Sequence, residues 1–131
     1  LKIISKDLLD HTMRQVNLIN EVEMMQRLNV AGVVKCFKTI ETADDVIIVM
    51  QLIEGINLVD MIYEREEFKL TEREATHIFI NLIDILAKMH KRDIAHRDVK
   101  LENIMIDLDT NSVTLVDLGL SQLKTRREKV H

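Results

Sequence analysis

The chain has 131 residues, enough for one ordinary domain and too few for two. Hydrophobic residues make up 47% and charged residues 31%, as is usual for a globular chain, and the net charge of -4 argues against general nucleic-acid binding. The single Cys36 excludes a disulfide within the chain, and no apolar run approaches the roughly 20 residues of a membrane helix. We therefore expect one domain with no nucleic-acid partner and no membrane segment. We also expect an intracellular, cytoplasmic location, for which the sequence holds no direct signal.

The first part of the chain is predicted to form strands around one helix. Residues 1–4 are apolar enough for the end of a strand, and apolar residues recur at helical spacing over 12–28. Runs rich in β-branched residues at 33–40 and 46–52 flank a polar, acidic stretch. This arrangement predicts a β-hairpin.

Two helices are predicted in the middle of the chain, a short one at 58–63 and a longer one that begins at Thr71. Thr71 and Glu74 have the spacing of a capping box, in which each side chain accepts a hydrogen bond from the backbone N–H of the other residue. An apolar stripe along the longer helix should face the core. Its members are Ala75, Ile78, Phe79, Leu82, Ile85, Leu86 and Met89.

Short strands and turns are predicted after His90. The apolar runs 104–106 and 113–116 have the length and composition of strands. The polar residues 107–112 between them are typical of a turn. A second hairpin should therefore follow the long helix.

The most informative part of the chain lies around this second hairpin. Residues 96–103 have the sequence His-Arg-Asp-Val-Lys-Leu-Glu-Asn, and an Asp-Leu-Gly triplet begins at Asp117, fourteen residues after Asn103. The two stretches resemble the catalytic loop and the metal-binding triplet of eukaryotic-type serine/threonine protein kinases. Their combination, with a hairpin of suitable length between them, is much more specific than either motif alone.

The resemblance implies transfer of a phosphoryl group from ATP to serine or threonine hydroxyls of a protein substrate. In such kinases a carboxylate orients the hydroxyl and accepts its proton, which implies this role for Asp98. Mg²⁺ prefers oxygen ligands, and Asn103 and Asp117 would supply them. Lys100 matches the cation that stabilises charge on the transferred group and is typical of serine/threonine kinases.

An ion pair that contacts the ATP phosphates is also implied. By resemblance, Lys2 in the first strand would pair with Glu21 on the first helix. Glu21 shares one helix face with Met25 and Leu28, and a glutamate on an apolar face needs a partner. Glu23 is the competing residue, although it falls off that face.

The nucleotide would also contact the segment that resembles the hinge of a kinase. Met50 matches the gatekeeper residue beside the adenine, and backbone groups of Gln51 and Ile53 would bond its edge. Met105 matches the floor of the adenine pocket, and Glu102 is placed among the nucleotide-binding residues.

Other polar residues of these motifs are expected to have supporting roles. His96 should be a packed, hydrogen-bonded histidine, and Arg97 would pair with a phosphorylated residue of the activation segment. Ser121 and Thr125 are candidate phosphorylation sites.

The implied fold is α+β, a two-lobed protein-kinase-like fold that is incomplete. Residues 1–50 would belong to the N-lobe, 51–55 to the hinge, and 56–131 to the start of the C-lobe. We expect an internal fragment of a longer protein, because the sequence contains neither a glycine-rich loop before Lys2 nor an Ala-Pro-Glu after Asp117. It also departs from the family at 30–32 and at Leu101, where prolines are usual, and at Leu118, where phenylalanine is usual.

Two alternatives stay open at this point. The chain could belong to a pseudokinase, a scaffold that binds partners without turnover, because the glycine-rich loop is not in the sequence. The retained ionic residues favour the enzyme. A small-molecule kinase of related fold is the other alternative, and Lys100 argues for a protein substrate instead.

Overall fold

The computed structural model describes residues 1–8, 28–118 and 121–123. The first sheet of the fold combines three antiparallel strands. Strand β3 (Asp45–Met50) lies in the centre of the sheet, between β1 (Lys2–Ser5) and β2 (Cys36–Glu41). The predicted first hairpin is thus confirmed, whereas nearly all of the predicted helix 12–28 lies outside the described residues.

Helix α1 (Leu58–Tyr63) has the predicted bounds, and Asn57 caps it by accepting from the backbone N–H of Asp60. Helix α2 (Glu72–His90) follows, with Thr71 as its N-cap and the predicted capping box in place. Within the described part of the chain, no helix is long and apolar enough to span a membrane.

The predicted apolar stripe of α2 is only partly buried. Four of its members lie in the core: Ile78, Leu82, Ile85 and Met89. Ala75 is exposed, and Phe79 is 63% exposed, so the prediction was wrong for these two residues. A helix turns by about 100° per residue, which places Phe79 about a quarter turn away from Ile78 and beyond the face that the described residues cover.

Two further sheets lie against the helices. Strand β6 (Ile104–Ile106) pairs on one side with β4 (Ile56–Asn57) and on the other with β7 (Val113–Leu115). Strand β5 (Ile94–Ala95) pairs with β8 (Gln122–Leu123). The predicted second hairpin is confirmed, although its last strand ends one residue earlier than expected.

Strand β7 also joins the first part of the chain to the core. The backbone N–H of Leu115 donates to the carbonyl of Gly32 at 2.7 Å, and its carbonyl accepts from the N–H of Val34 at 3.1 Å. Gly32 has a φ of +89°, and a Cβ there would collide with the side chain of Ile85. A glycine is therefore required where the chain passes close to Ile85 of α2.

Glu74 links the N-terminus of α2 to the preceding loop. Arg65 donates two hydrogen bonds to its carboxylate, at 2.8 and 2.6 Å, and both the N–H and the hydroxyl of Thr71 donate to it as well. These donors lower the pKa of Glu74 from 4.5 to about 2, and the hydrogen bonds from Arg65 have the largest effect. The ionised carboxylate thus stabilises this end of the helix.

The low pKa of Glu74 predicts a pH-dependent effect of Glu74→Gln. The group stabilises the fold fully above its unfolded pKa of 4.5, and this contribution is lost as the pH falls towards about 2. The variant should therefore be less stable than the wild type at pH 6, and the difference should shrink between pH 4.5 and 2. Urea unfolding at several pH values measures it. Glu72→Gln, in the same helical turn, is the matched control, and a difference independent of pH would contradict the prediction.

Candidate functional site

The loop between β5 and β6 holds Asp98 with two side chains. Asn103 is 5% exposed, and its amide nitrogen donates to the carbonyl and to the Oδ2 of Asp98, at 2.9 and 3.0 Å. The Nζ of Lys100 lies 2.8 Å from the same Oδ2. The structure therefore brings together three of the residues that the sequence motif singled out.

These contacts keep Asp98 ionised. The hydrogen bond from Lys100 is the main cause that lowers the pKa of Asp98, and the bond from Asn103 acts in the same direction. The bond to Asp98 raises the pKa of Lys100, and the negative charges of Glu102 and Asp117 raise it further. A carboxylate and an ammonium group thus face each other in this loop at neutral pH.

His96 fixes the start of the loop. Its ring is 2% exposed, with Nε2 3.3 Å from the carbonyl of Val116, while the backbone N–H of Asp98 donates to Nδ1 at 3.3 Å. Nδ1 is therefore the acceptor and Nε2 carries the proton, and burial lowers the pKa of His96, which favours this neutral ring. The expected role of a packed, hydrogen-bonded histidine agrees with these contacts.

Asp117 lies directly after Val116, at the end of the β7 segment. The backbone N–H of Val116 donates to the carbonyl of Asn103 at 2.9 Å. This hydrogen bond joins the two segments that carry the predicted metal ligands, Asn103 and Asp117. Asp117 has a φ of +61°, a left-handed conformation that aspartate tolerates better than most residues. Leu118 is fully buried, so the leucine packs as an apolar side chain should in this position.

The donor set of Asn103 and Asp117 fits Mg²⁺. This ion is usually held by one or two carboxylates, together with substrate phosphates and water. The amide hydrogens of Asn103 go to Asp98, which leaves its amide oxygen for a cation. In the described ranges, no cluster of three or more His, Cys, Asp or Glu residues could hold a metal.

The structure leaves the predicted ion pair untested. Lys2 lies on β1 opposite Ile48, but Glu21 and its rival Glu23 lie outside the described residues, as does Met25. The pairing of Lys2 with Glu21 therefore stays a prediction.

The predicted hinge follows β3 directly. Met50 ends the strand and is half-buried, as are Ile53 and Met105. The N–H of Gln51 donates to the carbonyl of Lys35 at 2.8 Å. This N–H is therefore already bonded, and the predicted bond from Gln51 to an adenine would fall to its carbonyl.

Three polar residues near the loop differ in their surroundings. Glu102 is exposed on a short 3₁₀ helix (Leu101–Asn103), and Arg97 is exposed with a φ of +67°. Ser121, a candidate phosphorylation site by sequence, is only 2% exposed, and its hydroxyl donates to the carbonyl of His96. This burial does not suit a phosphate acceptor, and the contact was not predicted. Thr125, the other candidate, lies outside the described residues.

The α+β fold and the loop around Asp98 together define a kinase-like domain. The model of the protein kinase domain family matches residues 1–131, and the chain belongs to that family. The predicted family and the predicted fold class, an incomplete two-lobed kinase fold, are thereby confirmed.

Several named kinases resemble the chain over nearly all of its length. Human "NUAK family SNF1-like kinase 1" is 34% identical over 123 residues, which cover 94% of this chain and 18% of that protein. The "Carbon catabolite-derepressing protein kinase" of Saccharomyces cerevisiae is 33% identical over 125 residues, or 95% of this chain and 19% of that protein. The chain thus spans about a fifth of the length of these relatives.

A solved structure supports the same fold. The crystal structure of Rad53 1-466 in complex with AMP-PNP superimposes with a TM-score of 0.81 and 28% sequence identity. The match covers 90% of this chain and 31% of that one.

Proposed function

We propose that the protein containing this chain transfers the terminal phosphoryl group of ATP to serine or threonine hydroxyls of protein substrates. The observation that carries the proposal is the pairing of Asp98 with Lys100 and Asn103, next to the segment that ends in Asp117. The relatives named as kinases support the same reaction class.

Asp98 would act as the catalytic base. Phosphoryl transfer needs little covalent help from the protein and depends on positioning and on electrostatic stabilisation. The hydrogen bonds from Lys100 and Asn103 lower the pKa of Asp98 and favour its ionised form. The carboxylate can then orient a hydroxyl and accept its proton in the transition state. Asn103 holds the carboxylate through Oδ2, so its direction is set before a substrate arrives.

Lys100 would stabilise the charge on the transferred group. Its ammonium lies 2.8 Å from Asp98, so any hydroxyl that bonds Asp98 comes within reach of this cation. The exposed position of Lys100 allows it to contact a bound phosphate. The same side chain would thus neutralise the base at rest and the phosphoryl group during transfer.

Residues from the N-lobe part, the hinge and the C-lobe part of the chain would together hold the nucleotide. Asn103 and Asp117 would hold Mg²⁺, which supplies charge neutralisation between the phosphates when bound. Lys2, paired with Glu21, would contact phosphates, and Met50, Gln51, Ile53 and Met105 would surround the adenine. Glu102 completes the proposed nucleotide-binding set. AMP-PNP bound to Rad53 supports a nucleotide site in this fold.

The boundaries of the lobes are proposed from the resemblance to the kinase family. Residues 1–50 would form the part of the N-lobe in this chain, 51–55 the hinge, and 56–131 the start of the C-lobe. The intracellular location and the lack of a nucleic-acid partner stay predictions from the sequence.

A phosphorylation assay on the full-length protein tests the proposal. With labelled ATP and Mg²⁺, label should appear in peptide pools that contain serine or threonine and not in a tyrosine-only pool. EDTA should abolish the transfer. A folded protein that binds MgATP without transferring phosphate to any pool would overturn the proposal and support the scaffold alternative.

A further inference from the structure

A third buried polar side chain lies beside the loop, and the proposed chemistry does not use it. In the described part of the chain, the buried polar residues are His96, Asn103 and Ser121. The first two belong to the loop itself. Ser121 comes from the other side of the Asp-Leu-Gly triplet, and its Oγ donates to the carbonyl of His96 at 3.3 Å.

The position of Ser121 follows from the register of the smallest sheet. Ile94 pairs with Leu123 and Ala95 with Gln122, so His96 and Ser121 are the next residues in register. The backbone N–H of Ser121 donates to the carbonyl of Leu118 at 2.9 Å. The hydroxyl is therefore the group of Ser121 that reaches His96 and extends the contact between the two segments by one residue.

We propose that Ser121 is a positioning residue that holds the catalytic loop against the segment after Asp117. This inference rests on the proposed kinase function. With the bond from Ser121, His96 is held at three atoms: its carbonyl, Nδ1 and Nε2. Nδ1 accepts from the backbone N–H of Asp98, and Nε2 donates to the carbonyl of Val116, the residue before Asp117. Ser121 thus fixes His96. His96 in turn sets the position of Asp98, the proposed base, relative to Asp117, the proposed metal ligand.

Loss of the hydroxyl should affect the chemical step more than nucleotide binding. In Ser121→Ala the buried carbonyl of His96 loses its donor, and an unsatisfied buried acceptor favours local opening. A small misplacement of Asp98 slows a reaction that depends on positioning. Most of the residues proposed to contact ATP, at the hinge and on β1, lie away from Ser121, so the KM for ATP should change less than kcat.

The test compares Ser121→Ala with the wild type and with Ser112→Ala in the full-length protein. Ser112 is an exposed serine of the β6–β7 turn and serves as the matched control. We expect kcat to fall about 5- to 20-fold in Ser121→Ala, with the KM for ATP within about twofold. The control should keep both constants.

Amide hydrogen exchange supplies a second measurement that does not depend on activity. Peptides covering 94–98 should exchange faster in Ser121→Ala, while those covering α2 should not change. Unchanged exchange and unchanged kcat would overturn the inference, and so would faster exchange throughout the domain, which indicates a merely structural role. If the wild type transfers no phosphate, the proposed function fails, and the exchange at 94–98 alone decides whether Ser121 holds the loop.

Discussion

Asp98→Asn in the full-length protein is expected to lower kcat for peptide phosphorylation by about 10²–10⁴-fold, the usual contribution of a general base. Asparagine has nearly the same shape as aspartate and can still accept the bond from Lys100, but it cannot take a proton at neutral pH. In the wild type, the hydrogen bond from Lys100 lowers the pKa of Asp98 and so favours the ionised carboxylate, which can accept a proton. Steady-state kinetics with a serine or threonine peptide measures the effect.

Two controls separate loss of the base from loss of structure. Asp109→Asn changes an exposed aspartate in the β6–β7 turn and should leave kcat unchanged. Binding of MgATP by Asp98→Asn, measured by calorimetry, should stay within a few-fold of the wild type, because Asp98 is not a proposed metal ligand. A variant with the wild-type kcat would exclude Asp98 as the base.

Local sequence signals predicted helices α1 and α2 well. Helix α1 has the expected bounds because Asn57 satisfies an N–H group at its start, and α2 begins where Thr71 and Glu74 form their reciprocal bonds. The exposure of Phe79 could not be predicted in this way. Periodicity shows that a residue is near the apolar face, but the width of the buried face depends on which other elements pack there.

The grouping of the candidate site residues was also predictable, whereas the contacts that support the loop were not. The types and spacing of Asp98, Lys100 and Asn103 were sufficient to bring them together in one loop. The bond from Ser121 to His96 depends on the pairing of β5 with β8, segments separated by more than twenty residues. No local sequence signal marks such a contact. Ser121 was therefore predicted from the sequence as a candidate phosphorylation site, whereas the structure buries it.

The second large effect is expected in the core, from Leu115→Ala on β7. Leu115 is 0% exposed, and truncation of a buried leucine to alanine typically costs about 2–5 kcal/mol of unfolding free energy. The upper part of that range is expected, because the backbone of Leu115 is tied to Gly32 and Val34 on one side. These bonds limit how far the surrounding chain can collapse into the cavity.

Leu52→Ala is the matched control, because it makes the same truncation at a leucine that is 79% exposed. It should change the unfolding free energy by no more than about 0.5 kcal/mol. Urea titration of the full-length protein, followed through hydrogen exchange in α2, measures both variants. Since β7 leads directly to Val116 and Asp117, Leu115→Ala should also loosen the contact of Val116 with His96. Equal stability of the two variants would mean that β7 does not join residues 30–34 to the core in solution.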